Sequence, residues 1–459
     1  MTHKVVVIGG GLSGLASAVW LSQSGWDVTV LERRSSLGGR THAVHVPQVD
    51  DVADNGQHIM SCAFVNLFRY LQAVGTLDHM HFSPVGSRMR DGTVHPTKEG
   101  MGSQLQMLFG ALPGLPRRDR TKTMVACLRF FAQAARANPA LDNISVDEWY
   151  RRVGMPDSAR GIIFDLLALG VLNELPELAS AYPLASVLSN AMKKSLHGGG
   201  SAFEFGYADV DFDTLYVRGA QQLFDANGHD VHYRAIARQI EVRNGRAVGV
   251  RMADGDVIDA DAVVCAVPAW HIGGLLDQVP GHDTIYAAAA RLLPAPIVSV
   301  NLYLDAPLGS QCWLENIVMP EHVVDNVFDH QIMHPGRDTS RGYRYALTTS
   351  AAYMINDWTN ERMIDAQMRL LRQCYPQGRN VNVVHANVVR ENKATFTQRP
   401  GTALIRPPQQ TQIANLVLAG DWTRTEWCST MEGAVQSASL AVSALQSNVS
   451  ASAPVSVRI

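Results

Sequence analysis

A glycine-rich stretch near the start of the chain restricts the fold more than any other feature. Residues 5–18 contain an apolar run, three consecutive glycines, and then a helix pattern, and a second apolar run follows at 27–31. Apolar runs of this length are typical of parallel strands that are buried on both faces. We therefore predict strand Lys4–Ile8, helix Leu12–Ser24 and strand Asp27–Leu31, which together form one βαβ unit.

The spacing of the glycines gives each of them a role. Gly9 permits a tight turn, Gly11 lets the backbone approach a pyrophosphate, and Gly14 allows the helix to pack closely on the sheet. The free N–H groups at the start of the helix then face the phosphates. Glu32 ends the second strand, where a carboxylate suits a pair of ribose hydroxyls. These features predict a dinucleotide-binding site rather than a purely structural turn.

The residues after Glu32 favour FAD over NAD. A second glycine pair, Gly38 and Gly39, is followed directly by Arg40. Compact glycines let the chain fold back over the diphosphate of a long dinucleotide, and the arginine can offer it charge-assisted hydrogen bonds. The other interpretation of this segment is a surface loop with a solvated arginine.

A strand-terminal acid near the C-terminus completes the predicted site. The apolar run Leu416–Ala419 is followed by Gly420 and Asp421, and a helix pattern begins at about Thr430. Asp421 can bind a ribitol hydroxyl, and N–H groups near Met431 can stabilise negative charge at the pyrimidine end of a flavin. The alternative is an ordinary helix with Thr430 as its N-cap.

The length of 459 residues favours two domains. Turn signals at 244–245 and 254–255 predict a β-meander between 231 and 267 that feeds a further sheet strand. We predict an α/β fold in which a discontinuous Rossmann-type FAD-binding domain is interleaved with an α+β substrate domain. The predicted segments are 1–85, 218–285 and 408–446 for the FAD-binding domain, 86–217 and 286–407 for the substrate domain, and 447–459 for a flexible tail.

Composition excludes several classes of function. The chain has 39 Lys and Arg against 42 Asp and Glu, so we expect no nucleic-acid partner. Its six widely spaced cysteines predict no metal site. No apolar stretch reaches the ~18–20 residues of a membrane span, and without a secretory signal pattern a cytoplasmic location is expected. Residues 105–120 combine apolar bulk with a basic flank, and they could either dip into a lipid surface or line the core of the substrate domain.

Together the three glycine-containing blocks resemble the superfamily of FAD-dependent amine oxidases and carotenoid desaturases over nearly the whole chain. Within it, the chain is similar to hydroxysqualene dehydroxylases, flavoenzymes of bacterial hopanoid pathways. The segments that carry this similarity are 54–59, 172–181, 210–215, 420–423 and 430–435. The first segment and the last are also similar to phytoene and ζ-carotene desaturases, so the middle segments decide in favour of the dehydroxylases.

The motifs and the resemblance predict a set of FAD-binding residues. These are Gly9, Gly11, Leu12, Ser13, Gly14, Glu32, Arg33, Gly39, Arg40, Gly56, Gln57, Ala237, Gly420, Asp421, Met431, Glu432 and Ala434. Ala237 stands where the similar proteins usually carry valine, and its contact with the adenine is expected through the main chain.

The resemblance implies that the protein removes the hydroxyl of hydroxysqualene, a long polyprenyl substrate, and adds a hydride to give squalene. This reaction needs reduced FAD, a proton donor and a dry tunnel of hydrocarbon length, whereas the source of the electrons stays open. Our candidates for the donor are His58 and Asp54, although either could be purely structural. The ring faces of Trp427 or Phe64 could stabilise a cationic allyl intermediate.

Three other functions are compatible with the sequence. A carotenoid desaturase or isomerase would share the pocket, but a desaturase passes electrons from the hydrocarbon to FAD. An amine oxidase would need an aromatic cage, for which Trp422 and Trp427 are available, and a lysine that faces the flavin. A non-catalytic protein that binds FAD or lipid is the third, because the strong motifs all hold the cofactor.

Overall fold

The computed structural model describes residues 3–97, 112, 114–196, 204–319 and 322–452. The strands are β1 (Lys4–Ile8), β2 (Asp27–Glu32), β3 (Ala43–Val46), β4 (Asp51–Asp54), β5 (Met60–Ser61), β6 (Met80–Phe82), β7 (Gly86–Arg88), β8 (Val94–Pro96), β9 (Phe205–Ala208), β10 (Asp230–Tyr233), β11 (Ala237–Arg243), β12 (Arg246–Met252), β13 (Val257–Asp259), β14 (Ala262–Cys265), β15 (Pro294–Leu304), β16 (Leu314–Ile317), β17 (Asn326–Asp329), β18 (Tyr343–Thr349), β19 (Val383–Phe396) and β20 (Leu416–Leu418). The α-helices are α1 (Leu12–Gln23), α2 (Val65–Ala73), α3 (Arg120–Arg136), α4 (Val146–Val153), α5 (Asp157–Ala159), α6 (Asp165–Leu172), α7 (Ala181–Leu196), α8 (Gly219–Asn227), α9 (His282–Arg291), α10 (His330–Met333), α11 (Asn360–Cys374) and α12 (Met431–Ser452).

Five parallel strands form one sheet in the order β10-β2-β1-β14-β20. Successive side chains of a strand point to opposite faces. On one face Val5 and Val7 of β1 pack with residues of α1 and α12, and on the other Val6 and Ile8 pack with residues of the meander strands. The central strand is therefore buried on both faces, and the predicted βαβ unit is confirmed.

Glycine geometry sets the close approach of α1 to this sheet. Gly9 has a φ of 106°, which side-chain-bearing residues rarely adopt. A Cβ on Gly14 would lie 1.8 Å from the carbonyl oxygen of Gly9, so only glycine lets the first turn of the helix cross the strand end here. Helix α12 is linked to the same turn through a 3.0 Å hydrogen bond between the hydroxyls of Ser13 and Ser437.

Each of the two large sheets takes its strands from the segments predicted for one domain. The antiparallel meander β11-β12-β13 leads into β14 of the parallel sheet, as predicted. A second large sheet has the order β19-β15-β18-β17-β16-β7-β8. The predicted fold class is confirmed, whereas the boundaries between the two domains stay predictions.

The seven-stranded sheet has two chemically different faces. Val298 and Val300 of β15 and Leu347 of β18 point to one face, where they pack with Met363 and Leu371 of α11. The opposite face is turned toward a helical layer made of α3, α4, α6 and α7, whose own core surrounds Phe130 and other aromatic residues. Residues of this face and of the helices line the cavity described below.

Helix α12 continues to Ser452 and so includes residues 447–452 of the predicted tail. Ala441, Val442 and Leu445 pack this helix in the core, and the flexibility of the tail stays a prediction. Half of the segment 105–120 lies outside the described residues, and its role at a lipid surface or in the core stays a prediction. No helix in the described ranges has the length and apolarity to cross a bilayer.

The Gly9–Gly14 contact predicts how the protein responds to an added methyl group. Gly14→Ala should lower the free energy of unfolding by about 1–3 kcal/mol or more, because its Cβ must displace backbone. Gly161→Ala is the matched control, since a Cβ at that position would have no described atom within 4 Å. Denaturant unfolding of both variants checks this, and equal effects of the two substitutions would contradict it.

Candidate functional site

A cavity of about 1050 Å³ opens at the carboxyl ends of the parallel strands. Its wall includes Ile8, Glu32, Ala266 and Gly420, which lie at the ends of β1, β2, β14 and β20. Ligands of open α/β sheets bind at this edge. The volume lies at the upper end of the ~300–1,000 Å³ that is usual for small-molecule sites, so the cavity is large enough for a long ligand.

Glu32 holds the glycine turn in place at the cavity. Its Oε2 accepts a hydrogen bond from the Gly10 N–H and its Oε1 accepts one from the Arg34 N–H, both at 2.8 Å. The Gly38 N–H donates to the Gly10 carbonyl at 2.8 Å, so the second glycine pair lies against the first. Gly11 lines the cavity at the start of α1, which leaves the backbone open to a phosphate.

Arg40 and the buried Asp421 form a partly buried ion pair that joins the first and the last of the predicted segments. Arg40 Nη2 donates to Asp421 Oδ1 at 2.6 Å, and Arg40 Nη1 donates to the Ala394 carbonyl at 3.0 Å. The Ser429 hydroxyl donates to Asp421 Oδ2. Burial alone raises the pKa of Asp421, but Arg40 and Ser429 outweigh burial and hold this pKa below its ordinary value. The carboxylate is therefore ionised and fixed beside the cavity.

The structure brings most of the predicted residues to this one cavity. The predicted residues that line it are Gly9, Gly11, Leu12, Ser13, Glu32, Arg33, Gly39, Arg40, Gly56, Gln57, His58, Ala237, Gly420, Asp421, Met431 and Ala434. Three predicted residues do not line it. Gly14 contributes through helix packing, and Glu432 and Asp54 have other partners.

Glu432 was predicted to bind the cofactor, and its side chain instead caps a helix. Its carboxylate accepts hydrogen bonds from the Asn66 N–H at 3.0 Å, the Asn66 amide at 2.7 Å and the Leu67 N–H at 2.8 Å. These donors lie in the first turn of α2, where a carboxylate is favoured. The Glu432 carboxylate in the first turn of α12 therefore joins α12 to α2. This corrects the prediction that its side chain binds the cofactor.

Asp54 was predicted as a candidate acid, but the structure places it behind the cavity wall. Its Oδ1 accepts a hydrogen bond from the Phe212 N–H at 2.9 Å, and the residue is 7% exposed. Burial raises the pKa of Asp54 to about 7. A proton is available on this carboxyl, but the carboxyl does not reach the cavity, so Asp54 positions the neighbouring chain.

His58 lines the cavity, yet its chemistry differs from the prediction. Burial, with a smaller contribution from the positive charge of Arg40, lowers the pKa of His58 to about 4. The ring packs on Phe212 with a centroid distance of 4.8 Å. His58 is therefore neutral near pH 7, and the imidazolium that an efficient acid would need is scarcely populated.

The structure also adds cavity residues that sequence reasoning missed. Ser429 holds Asp421, and Trp270 lies beneath the guanidinium of Arg40 at 5.6 Å. Ala266 and Val267 follow β14 and line the cavity. Their position could have been inferred, since parallel strands end at a common edge, whereas nothing in the sequence pairs Trp270 with Arg40.

The residues present fit a flavin dinucleotide. The glycine turn offers open backbone beside the start of a helix, and Glu32 stands where a ribose is expected. On the far side of the cavity, Gln57 Oε1 and His58 Nδ1 are buried without a hydrogen-bond partner among the described residues. Buried polar atoms are nearly always paired, so these two are suited to the polar edge of a bound ring. The described residues contain no cluster of His, Cys, Asp and Glu that would hold a metal ion.

The family model for flavin containing amine oxidoreductases matches residues 12–446. The chain belongs to this family. A flavin containing amine oxidoreductase of this fold is an FAD-dependent oxidoreductase, and FAD is the cofactor. The match includes both segments that the Arg40–Asp421 pair joins.

Similar proteins place this family member near carotenoid desaturases by sequence. The chain is 23% identical over 474 residues to the 15-cis-phytoene desaturase of Solanum lycopersicum, which covers 96% of this chain and 77% of that protein. It is 24% identical over 490 residues to the probable zeta-carotene desaturase of Synechococcus elongatus, which covers 96% and 98%. The fold is similar to that of cyclohexylamine oxidase from Brevibacterium oxydans, with a TM-score of 0.71, 17% identity, and coverage of 98% and 100%.

The buried Asp54 predicts a pH dependence of stability. Its folded pKa of about 7 exceeds the ordinary value of 3.8, so the folded state keeps a proton that the unfolded state releases. The associated stability is complete below about pH 4 and is lost as the pH rises through about 7, by up to about 4 kcal/mol. Asp54→Asn cannot titrate, so the variant should lose less stability than the wild type over this range. Unfolding free energies measured from pH 4 to 8 check this, and parallel profiles would contradict it.

Proposed function

We propose that the protein reduces hydroxysqualene to squalene. The observation that carries this proposal is the apolar extension of the FAD cavity between the helical layer and the seven-stranded sheet. Its aliphatic and aromatic lining residues are Ile162, Ile163, Leu166, Leu167, Val171, Val187, Leu188, Ala191, Ile297, Leu314 and Phe328. A hydrocarbon chain suits such a wall because each CH₂ removed from water contributes roughly 0.8 kcal/mol.

The proposed reaction sets clear tasks for the residues of this chain. Reduced FAD, when bound, would supply a hydride for the allylic carbon, and the hydroxyl would leave as water after taking up a proton. The cavity walls must exclude bulk water from the reacting carbon. Phe64 and Trp427 both line the cavity, and their rings meet edge to face at 5.2 Å. Their π-faces can stabilise positive charge that develops on the allylic system.

Trp427 is held firmly enough to serve this purpose. The guanidinium of the buried Arg406 donates from Nη1 to the Trp427 carbonyl at 2.8 Å and from Nη2 to the Asp421 carbonyl at 2.9 Å. The same arginine therefore positions the aromatic residue and the carboxylate of the Arg40–Asp421 pair. A fixed ring loses little freedom when the transition state forms.

A carotenoid desaturase is the second candidate, and the similar proteins favour it. Both desaturases named above match almost the whole chain. The same apolar cavity would hold a carotenoid precursor, but electrons would pass from the hydrocarbon to FAD. Product analysis separates the two reactions, because one consumes reduced FAD and the other consumes oxidised FAD.

The residues expected of an amine oxidase are arranged less well for that chemistry. Trp422 does not line the cavity, and its indole N–H donates to the Val267 carbonyl at 2.8 Å. It therefore cannot form a cage with Trp427. Lys393 does line the cavity, but its ammonium lies over Trp270 at 5.8 Å and its charge acts on His271 together with that of Arg33. This places the lysine near the segment that follows Glu32.

Product analysis under anaerobic conditions tests the proposal. Protein reduced with dithionite should convert hydroxysqualene to squalene, and oxidised protein should leave phytoene unchanged. Trp427→Leu should slow turnover about tenfold through loss of the ring face, whereas Trp427→Phe should retain most of it. Desaturated products from phytoene without squalene formation would favour the desaturase. Bound FAD that exchanges electrons with neither substrate would favour a non-catalytic binding protein.

A further inference from the structure

A row of polar side chains crosses the cavity face of the seven-stranded sheet. Its six members occupy directly paired positions on neighbouring strands, and paired residues point to the same face of a sheet. They are Ser299 on β15, Thr348 on β18, Asn326 on β17, Asn316 on β16, Ser87 on β7 and His95 on β8. All six line the cavity, and we refer to them as the polar row.

The polar row connects the cofactor end of the cavity with an edge of the sheet. A Cβ on Gly56 would lie 2.7 Å from the Ser299 hydroxyl, so Ser299 touches the segment that carries Gln57 and His58. At the other end, His95 lies on β8, the last strand of the sheet. Five strand intervals of about 4.8 Å make the row about 24 Å long.

Exposure increases along the polar row from the cofactor end outward. Ser299, Thr348 and Asn326 are 3%, 6% and 8% exposed, whereas Asn316 and His95 are partly exposed. The inner half is therefore buried and the outer half is accessible. The row runs from the protein interior toward solvent.

The residues beside the polar row are apolar, so they offer its side chains no hydrogen bonds. Leu314 and Phe328 occupy the adjacent positions on the same face. Asn326 Nδ2 donates to Thr348 Oγ1 at 3.2 Å. Within the described ranges, the hydroxyl of Ser299 makes no hydrogen bond, and it lines the cavity. Polar groups that face a cavity are stabilised by hydrogen bonds to the molecules that fill it, so the row favours a polar occupant.

Water satisfies the polar row better than a substrate group does. A single hydroxyl can contact about two of the six side chains, which leaves most of the row unmatched. Serine, threonine and asparagine side chains each donate and accept hydrogen bonds, as water does. Asn326 and Thr348 contact each other directly at 3.2 Å, and between the other neighbouring members the strand spacing of about 4.8 Å suits one bridging water.

We propose that the polar row holds a file of water molecules that conducts protons between the edge strand β8 and the flavin end of the cavity. The inference rests on FAD as the cofactor and not on the identity of the substrate. Two-electron reduction of FAD takes up one or two protons, and reoxidation returns them. In dehydroxylation the hydride goes to carbon, and the departing hydroxyl combines with one proton to form water. Such a file supplies that proton, and the same route removes the water.

The polar row also fills a need that the predicted donors do not meet. His58 is neutral, and Asp54 does not reach the cavity. A bound apolar substrate would contact the helical layer and leave the cavity face of the seven-stranded sheet hydrated. Protons can then reach the reacting centre without opening the apolar part of the cavity.

Proton uptake during photoreduction of the FAD-loaded protein tests the proposal without any polyprenyl substrate. A deazaflavin photoreductant reduces the bound FAD, flavin absorbance reports reduction, and a pH-indicator dye reports proton uptake. In the wild type the two signals should keep pace. Asn326→Leu interrupts the buried half of the polar row with a side chain of similar size and should delay proton uptake at least tenfold. Thr348→Val removes only a hydroxyl and should cause a smaller delay in the same direction.

Leu314→Met is the matched control, because it changes an apolar neighbour on the same face and should behave like the wild type. Thr348→Val keeps the test decisive if Asn326→Leu fails to fold or to bind FAD. Proton uptake at wild-type rate in both polar-row variants would overturn the proposal. A crystal structure of the FAD-loaded protein should show ordered waters that each contact two members of the row, and a dry row would also overturn it.

The result of the proton-uptake test can be distinguished from the result of the test of the proposed function. If hydroxysqualene is not converted but Asn326→Leu still delays proton uptake, the water file stands and the substrate assignment fails. If Asn326→Leu weakens binding of a polyprenyl alcohol while proton uptake is unchanged, the row is a substrate subsite and the water file is wrong.

Discussion

The ion pair between Arg40 and Asp421 is the contact on which the site depends. It joins residues 381 positions apart, and it connects the N-terminal segment that carries the glycine turn with the segment that precedes helix α12. Asp421 is 3% exposed, so loss of the arginine would leave an uncompensated buried charge. Ser429 and the backbone carbonyl of Ala394 complete the hydrogen bonds of the pair. The cavity keeps its shape because both ends of the chain are fixed at one point.

From this point the cavity extends in two directions with different chemistry. Toward the parallel sheet it offers backbone, Glu32 and the start of α1, which suit the polar parts of FAD. Toward the seven-stranded sheet it offers aliphatic side chains from the helical layer and the polar row on the sheet. The proposed reaction on an apolar molecule needs both a dry wall and a route for protons. We propose that these two surfaces meet the two needs separately.

Local patterns predicted much of this arrangement, and long-range geometry accounts for the rest. The βαβ unit and the roles of Gly9 and Gly14 follow from hydrophobic periodicity and glycine spacing, because these constraints act within a few residues. The direction of the Glu432 side chain does not, since the α2 N–H groups that bind it lie some 365 positions away. The position of the Asp54 side chain was not predictable either, because its hydrogen-bond partner Phe212 lies 158 positions away. The polar row depends on the register between strands from 87 to 348, which no local pattern contains.

The affinity for FAD in a double-mutant cycle across Arg40 and Asp421 tests the central claim most directly. Titration of the apoprotein with FAD, followed by flavin fluorescence, should show that Arg40→Gln and Asp421→Asn each weaken binding at least tenfold. The double variant should bind no more weakly than the weaker single variant, because the two side chains act as one unit. Wild-type affinity in both single variants would contradict the account.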